Sequence, residues 1–414
     1  MHNYVLGMSC VSCGEERSVD DMFFRCKKCN EPLEVNYDLS KLGLLLDNDS
    51  FQKRTWDVWR YSELLPVHNK LNMISLMEGG TPLIKSTTTL AKDLGIRELY
   101  LKDETRNPTW SYKDRGTAVG VSKAIEVNAE AVAAASTGNM GSSISAYSAK
   151  TGIKCVILIT ATTPIEKVVQ ILIHGANTIA VDQPYPELYR MIFEISEKYR
   201  VYLVHSDSPM RVEGQKTAAF EVCEQLDWIA PDKVIIPTSS GGNISAYWKG
   251  FKEFNTIKLI DSIPNMVCIQ AAGCAPIVKA FKEGRENPEL WPSPETVAHS
   301  ISNPNPALAS GRRCLNLLRE SNGIAEDVSD DEILRAQKLL ATTEGIFAEP
   351  AAAASIAGLK KLINNGYVGK NERVVCVITG AGLKDVKNAL KNCGNPSKVM
   401  TKDELWSTLS GYLQ

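Results

Sequence analysis

Two hydrophobic periods alternate along most of this chain. Short runs rich in β-branched residues or alanine read as strands: "ELYLKDE" (98–104), "AEAVAAAS" (129–136), "KCVILIT" (154–160), "NTIAVD" (177–182), "VYLVHS" (201–206), "KVIIPT" (233–238), "NMVCIQAAG" (265–273) and "RVVCVITG" (373–380). Between them lie longer stretches whose apolar positions recur every three or four residues. Examples are "RGTAVGVSKAIEV", "TPIEKVVQILIHG", "PELYRMIFEISEKY", "EGQKTAAFEVCEQL" and "PAAAASIAGLKKLI", and these read as helices. Strands and helices taking turns imply parallel sheet covered by helices on both faces. So many units fit two doubly wound α/β domains better than one large sheet. The expected division is 46–118 with 225–395 as a large domain, 119–224 as a small one, and 396–414 as a tail holding a peripheral helix.

Residues 1–45 stand outside this pattern. Cys10, Cys13, Cys26 and Cys29 form C-x2-C-x12-C-x2-C. That spacing reads as a zinc ribbon, in which two knuckles each give two thiolates to one tetrahedral Zn²⁺. Two disulfides or unrelated thiols are the competing readings. The segment carries five basic residues against seven acidic ones, and four thiolates would make it more negative. A structural appendage therefore fits better than a nucleic-acid contact.

Composition narrows the class without naming a function. The 414 residues are 44% hydrophobic and 23% charged, with a formal net charge of −2. Such a chain has the makeup of a globular protein, with no global field to draw nucleic acid or an anionic membrane. No apolar run has the roughly 18 residues that span a bilayer, and "MHNYVLGMSCVSC" lacks the features of a signal peptide. Eleven cysteines, an odd number, sit mostly inside expected strands and helices. Reduced thiols in a cytoplasmic protein are the expectation.

In parallel α/β sheets, ligands collect where strands end and helix N-termini point their free N–H groups. Three loops there are rich in Gly and hydroxyl residues: "STGNMGSS" (136–143), "PTSSGGNIS" (237–245) and "ITGAGLKD" (378–385). Their backbones can approach an anion closely. None matches a nucleotide-binding motif. A fourth stretch, "NPTWSYKDRGTAVG" (107–120), sets Lys113 at the mouth of a helix. Any one such loop is commonly just a turn. Three of them beside a nucleophilic lysine point to a phosphate-bearing carbonyl cofactor, pyridoxal 5'-phosphate.

Here the sequence also resembles a known family. "NPTWSYKDRG" is similar to the "NPTGSFKDRG" segment of threonine synthases, which are fold-type II pyridoxal-phosphate enzymes. The likeness continues through "EGGTPL" (78–83), "LYLKDE", "STGN", "RVEGQK" (211–216), "GGNISAYWKGF", "EGIFAEPAAAA" (344–354) and "TGAGLKD". The resemblance implies two doubly wound parallel-sheet domains beside the ribbon-like segment, and a homo-oligomer. It implies Lys113 as the lysine that bonds the cofactor's aldehyde and later shuttles protons. Such chemistry needs a neutral amine, which desolvation or a cationic neighbour such as Arg115 would favour. It further implies Asn139 at the cofactor's ring oxygen, Ser239, Ser240, Gly241, Gly242 and Asn243 around its phosphate, and Thr379 at its pyridine nitrogen. Ser136 and Thr137 map to a substrate-carboxylate loop. Ser206 and Arg211, in "HSDSPMR", map to a substrate-phosphate site. Tyr112 stands where the family usually has phenylalanine.

Four departures fall at the chemistry. Trp110 replaces a glycine, Met140 a threonine or serine, His205 an asparagine, and "SSGGN" a "GNxGN" loop. A tryptophan facing the pocket would shrink it, and a methionine would remove a donor to substrate phosphate. On that basis the expectation favours the cysteate synthase branch: O-phospho-L-serine plus sulfite giving L-cysteate and phosphate by β-replacement, in coenzyme M biosynthesis. His205 would help hold the anion. The alternative is threonine synthase itself, acting on O-phosphohomoserine and water.

Overall fold

The computed structural model describes residues 4–413 except 23, 88, 137, 164, 207, 309, 394 and 395. Its N-terminal unit is a three-stranded antiparallel sheet of β1 (Val5–Cys10), β2 (Glu16–Arg17) and β3 (Leu33–Tyr37), in the order β2-β1-β3. The turn after β1 and the turn before β3 carry the two cysteine pairs. Their sulfurs face each other, with Cys10–Cys29 and Cys13–Cys26 Sγ separations of 3.5 Å and Cys13–Cys29 of 3.6 Å.

This unit is clamped to the rest of the chain along β3. Tyr37 Oη donates to Glu213 Oε2 at 2.7 Å, and Lys249 Nζ donates to Val35 O at 2.5 Å and to Glu213 Oε1 at 2.6 Å. Burial raises the Glu213 carboxyl, but Lys216 and Lys249 outweigh it and hold the group below the usual range. Removing one partner would strand a buried charge, so the clamp specifies how the ribbon sits.

Two parallel sheets follow. The large one takes β4 (Leu83–Lys85) and β5 (Glu98–Asp103) from the first part of the chain. The small one is β6 (Ala131–Ala135), β7 (Lys154–Thr160), β8 (Asn177–Val181) and β9 (Val201–Leu203), ordered β8-β7-β6-β9. The chain then returns to the large sheet with β10 (Lys233–Pro237), β11 (Asn265–Ala271), β12 (Ile324–Val328) and β13 (Arg373–Ile378). The large sheet runs β12-β11-β10-β13-β5-β4 and is parallel apart from the antiparallel β4 edge. This is the expected pair of helix-covered sheets. The strand "IAEDV" of β12 escapes the pattern because Glu326 and Asp327 break its apolar run; Lys282 and Lys361 pair with them. The helix Gly311–Glu320 was likewise not expected. The C-terminal helix Lys402–Leu413 is peripheral and buries no residue.

One crossing positions everything that matters for the site. Helix Lys113–Glu126 meets helix Pro209–Gln225 backbone to backbone. A Cβ on Gly214 would lie 2.1 Å from Arg115 O, and one on Gly116 would lie 2.7 Å from Arg211 O. A buried ionic lattice locks the crossing. Arg115 donates to Glu104 and to Glu221, each through two nitrogens at 2.6–2.7 Å, and Lys102 Nζ donates to Glu221 Oε2 at 2.7 Å. Two cations face two carboxylates, all with fully buried side chains. The charge of Arg115, the expected cationic neighbour of Lys113, is matched inside this lattice.

Gly214→Ala is expected to lower unfolding free energy by about 3 kcal/mol or more, because backbone cannot retreat from the added methyl. Gly369→Ala is the control: its Cβ would find nothing nearer than Glu372 Cγ at 3.7 Å. Urea midpoints measure both; an equal, small shift for the pair would mean that the crossing is not tight.

Candidate active site

The carboxyl ends of β5, β6, β10 and β13 open on one cleft between the two sheets. "NPTWSYK" is stitched to the loop after β13. Trp110 N donates to Asn107 O at 2.8 Å, Ala381 N to Trp110 O at 3.0 Å, and Tyr112 N to Thr379 O at 3.1 Å. The turn forces Trp110 to φ +65°, the left-handed region that a bulky side chain rarely adopts. Glycine would take that conformation without strain. The indole is 46% exposed and lines the cavity that opens beside it.

Below the rim lies a cavity of about 790 Å³, whose wall includes Lys113, Ser136, Asn139, Met140 and Ser206. It continues into a recess of about 50 Å³ where Lys113, Asn139, Arg211 and Thr379 converge with the 239–243 loop. That loop has a cradle's geometry. Gly241 sits at φ +94°, and a Cβ there would lie 2.7 Å from Ser310 O. The turn starts helix Gly242–Thr256 at the recess wall, where its first N–H groups and dipole favour an anion. The segment 287–310, which sequence left without a role, borders the same space: Asn303 Nδ2 donates to Ser240 Oγ at 2.6 Å, and Ser300 lines both cavities.

The wall near Arg211 carries a thioether. Arg211 is 1% exposed, and its Nη1 donates to Met140 Sδ at 2.8 Å. Ser206 Oγ lies 3.9 Å from the same sulfur. A thioether is a weak acceptor, which an anionic oxygen would displace. Ser136 Oγ accepts from Gly141 N at 3.0 Å, closing the first turn of helix Asn139–Thr151 while lining the cavity.

Two acid–base residues escaped sequence reasoning. Glu349 precedes Pro350 and reads as a helix start, yet its carboxyl does not cap that helix. Instead it accepts from Asn139 Nδ2 at 3.0 and 3.3 Å and from Ser300 Oγ at 3.1 Å. Burial pushes its carboxyl up, with Lys384 pulling the other way. Lys384, from "TGAGLKD", enters the cavity wall, where burial pushes its ammonium down. Its Nζ donates to Gln170 Oε1 at 2.9 Å, joining the large-sheet side of the cleft to helix Ile165–Ile173. Only the residue match "EGIFAEPAAAA" hinted at Glu349.

One expectation changes. His205 lines neither cavity. It is 1% exposed and packs edge-on against Tyr189, with ring centroids 4.4 Å apart. It is a core residue, because the chain turns inward after β9 and points the ring at helix Tyr185–Tyr199. Trp110, by contrast, lines the outer cavity. Thr137 lies outside the described residues.

Comparison with known proteins gives a consistent picture. The family model described as "Pyridoxal-phosphate dependent enzyme" matches residues 74–380. A threonine synthase from Methanocaldococcus jannaschii is 45% identical over 391 residues, covering 94% of this chain and 96% of that protein. One from Methanosarcina acetivorans is 43% identical over 395 residues, 95% of each. In fold, the chain is similar to processed threonine deaminase isoform 2 from Solanum lycopersicum, with a TM-score of 0.63 and 23% identity, covering 75% of this chain and 82% of that one.

Inorganic phosphate is expected to raise the melting temperature, since ligand bound only to the native state stabilises it. In Arg211→Gln the rise should fall by about half or more, because a buried guanidinium is the strongest anion ligand of this wall. An undiminished rise in the variant would remove Arg211 from the anion site.

Proposed function

The chain belongs to the threonine synthase family of pyridoxal-phosphate-dependent enzymes, and from that premise we propose that it is itself a threonine synthase. The reaction is O-phosphohomoserine plus water to threonine plus phosphate. The observation that carries this reading is identity of 45% and 43% to proteins of that name over 94% and 95% of the chain.

The cleft fits the cofactor on its own features. The left-handed Gly241 turn starts helix Gly242–Thr256 in the recess wall, where free N–H groups suit a phosphate, and Lys113 stands in the same recess. Lys113 would hold the cofactor's aldehyde, Ser239 to Asn243 its phosphate, Asn139 its ring oxygen and Thr379 its pyridine nitrogen. When bound, pyridoxal phosphate supplies an aldehyde for amines and a ring that withdraws electrons from Cα. The chain's own residues do the rest. Lys113 Nζ moves protons to and from the substrate carbons. Arg211 and Ser206 hold the substrate's phosphate, and helix Asn139–Thr151 presents its N-terminus to the carboxylate. A hydroxyl at Thr379, in place of a carboxylate, would donate a hydrogen bond to the ring nitrogen without holding it protonated, which suits elimination and replacement better than transamination.

The cysteate reading has lost one of its supports. It rested on a pocket narrowed by Trp110 and on His205 as an anion ligand, and the imidazole is in the core. Trp110 and Met140 remain departures at the cavity wall.

The four cysteine sulfurs, 3.5–3.6 Å apart at the contacts above, fit a structural Zn²⁺, whose tetrahedral thiolates lie about 3.8 Å apart. All eleven cysteines are free, which supports a reducing, cytoplasmic setting. Among the described residues, no helix is long and apolar enough to cross a membrane.

The purified protein with its cofactor is expected to release phosphate and threonine in equal amounts from O-phosphohomoserine. O-phospho-L-serine with sulfite should release no more phosphate than a blank. Turnover of the shorter substrate with sulfite, and not of the longer one, would replace this reading with cysteate synthesis.

A further inference from the structure

Tyr112 lies directly before the lysine of the site, and its phenol is engaged with nothing else in the local backbone. It is the N-cap residue of helix Lys113–Glu126, yet its side chain makes no capping bond. Its backbone N–H is fixed to Thr379 O, which holds the residue against the loop after β13. Lys113 Nζ donates to Tyr112 Oη at 2.5 Å and sits 4.2 Å from the centre of the phenol ring. Both residues line the recess. Glu349, the carboxyl nearest in the wall, bonds Asn139 and Ser300 instead.

We propose that the Tyr112 hydroxyl is a further catalytic residue, the hydrogen-bond partner of Lys113 Nζ in both of that nitrogen's protonation states. The inference rests on Lys113 being the reactive lysine. In the proton-transfer step, the substrate's Cα–H bond breaks and an Nζ–H bond forms. The electron pair of the broken bond stays on the substrate side, and no further reactant is needed. The ammonium so formed donates one N–H to Tyr112 Oη. Before the transfer, the neutral amine can donate one N–H to Tyr112 Oη, which leaves its single lone pair free to take the Cα proton. A hydroxyl oxygen accepts from either form. A carboxylate at this place would favour the ammonium and oppose the neutral amine, and phenylalanine, the family's usual residue, would hold neither form. The ring supplies the packing that phenylalanine would supply. The oxygen is the added element.

Tyr112→Phe removes only that oxygen, leaves the aromatic packing in place and matches the residue common in the family, so the fold should survive. Two measurements read it. The first mixes cofactor-stripped enzyme with pyridoxal phosphate and follows growth of the visible band. The second follows phosphate release from O-phosphohomoserine by the reconstituted enzyme. The expected result is a fall of about ten- to a hundred-fold in the band-growth rate constant and in kcat, with KM within about two-fold. That is the loss expected for a hydrogen bond to a charged group. Both rates within about two-fold of the parent would overturn the proposal. The band-growth measurement does not depend on which phosphorylated amino acid is the substrate. If the parent forms the band but does not turn over O-phosphohomoserine, the threonine synthase reading fails while the Tyr112 comparison still stands. A band that persists in Lys113→Ala would instead reassign the lysine and, with it, this role.

Discussion

Two helices that touch through glycine, with no side chain between them, set the geometry of the whole site. Lys113 is the first residue of one and Arg211 the third of the other. Gly116 and Gly214 let the axes approach until backbone meets backbone, and the Arg115–Glu104–Glu221–Lys102 lattice then leaves little choice of register. Such buried charges are poor sources of net stability. Their consequence is positional, since any sliding would separate a guanidinium from two carboxylates in a dry interior. The amine and the anion-binding guanidinium are thus held at fixed separation by parts of the molecule that touch no ligand.

The N-terminal ribbon feeds into the same frame. Its β3 strand bonds Lys249 on helix Gly242–Thr256 and Glu213 on helix Pro209–Gln225. The first of these helices begins at the Gly241 cradle, and the second carries Arg211. Both anion-binding ends therefore belong to helices whose flanks the ribbon grips. A structural metal in the ribbon would act on the site through this packing rather than through any ligand contact.

What could be read from the sequence was local. The alternation of periods gave the two parallel sheets, and strand-end loops rich in glycine placed the cleft. Lys113 stood out because a lysine between a turn signal and a helix has few structural reasons to be there. The residues that escaped act across distance. Glu349 looks like a cap until the fold brings Asn139 against it from more than two hundred positions away, and Lys384 looks like a surface lysine until helix Ile165–Ile173 covers it. His205 was misplaced for a related reason: a side chain's direction depends on the neighbour it packs against, which is not written in the residue's identity. The β12 strand was hidden by acidic residues whose lysine partners come from elsewhere in the chain.

Among the described residues the cleft is lined by Lys113 in the recess and Lys384 in the outer wall, so the choice between them is the most direct test of the account. Borohydride reduction of the cofactor-loaded protein, followed by peptide mass analysis, fixes the attachment point. The structure predicts the reduced pyridoxyl group on Lys113 alone. Its appearance on Lys384, or on any other lysine in place of Lys113, would contradict the reading of the site from its first residue onward.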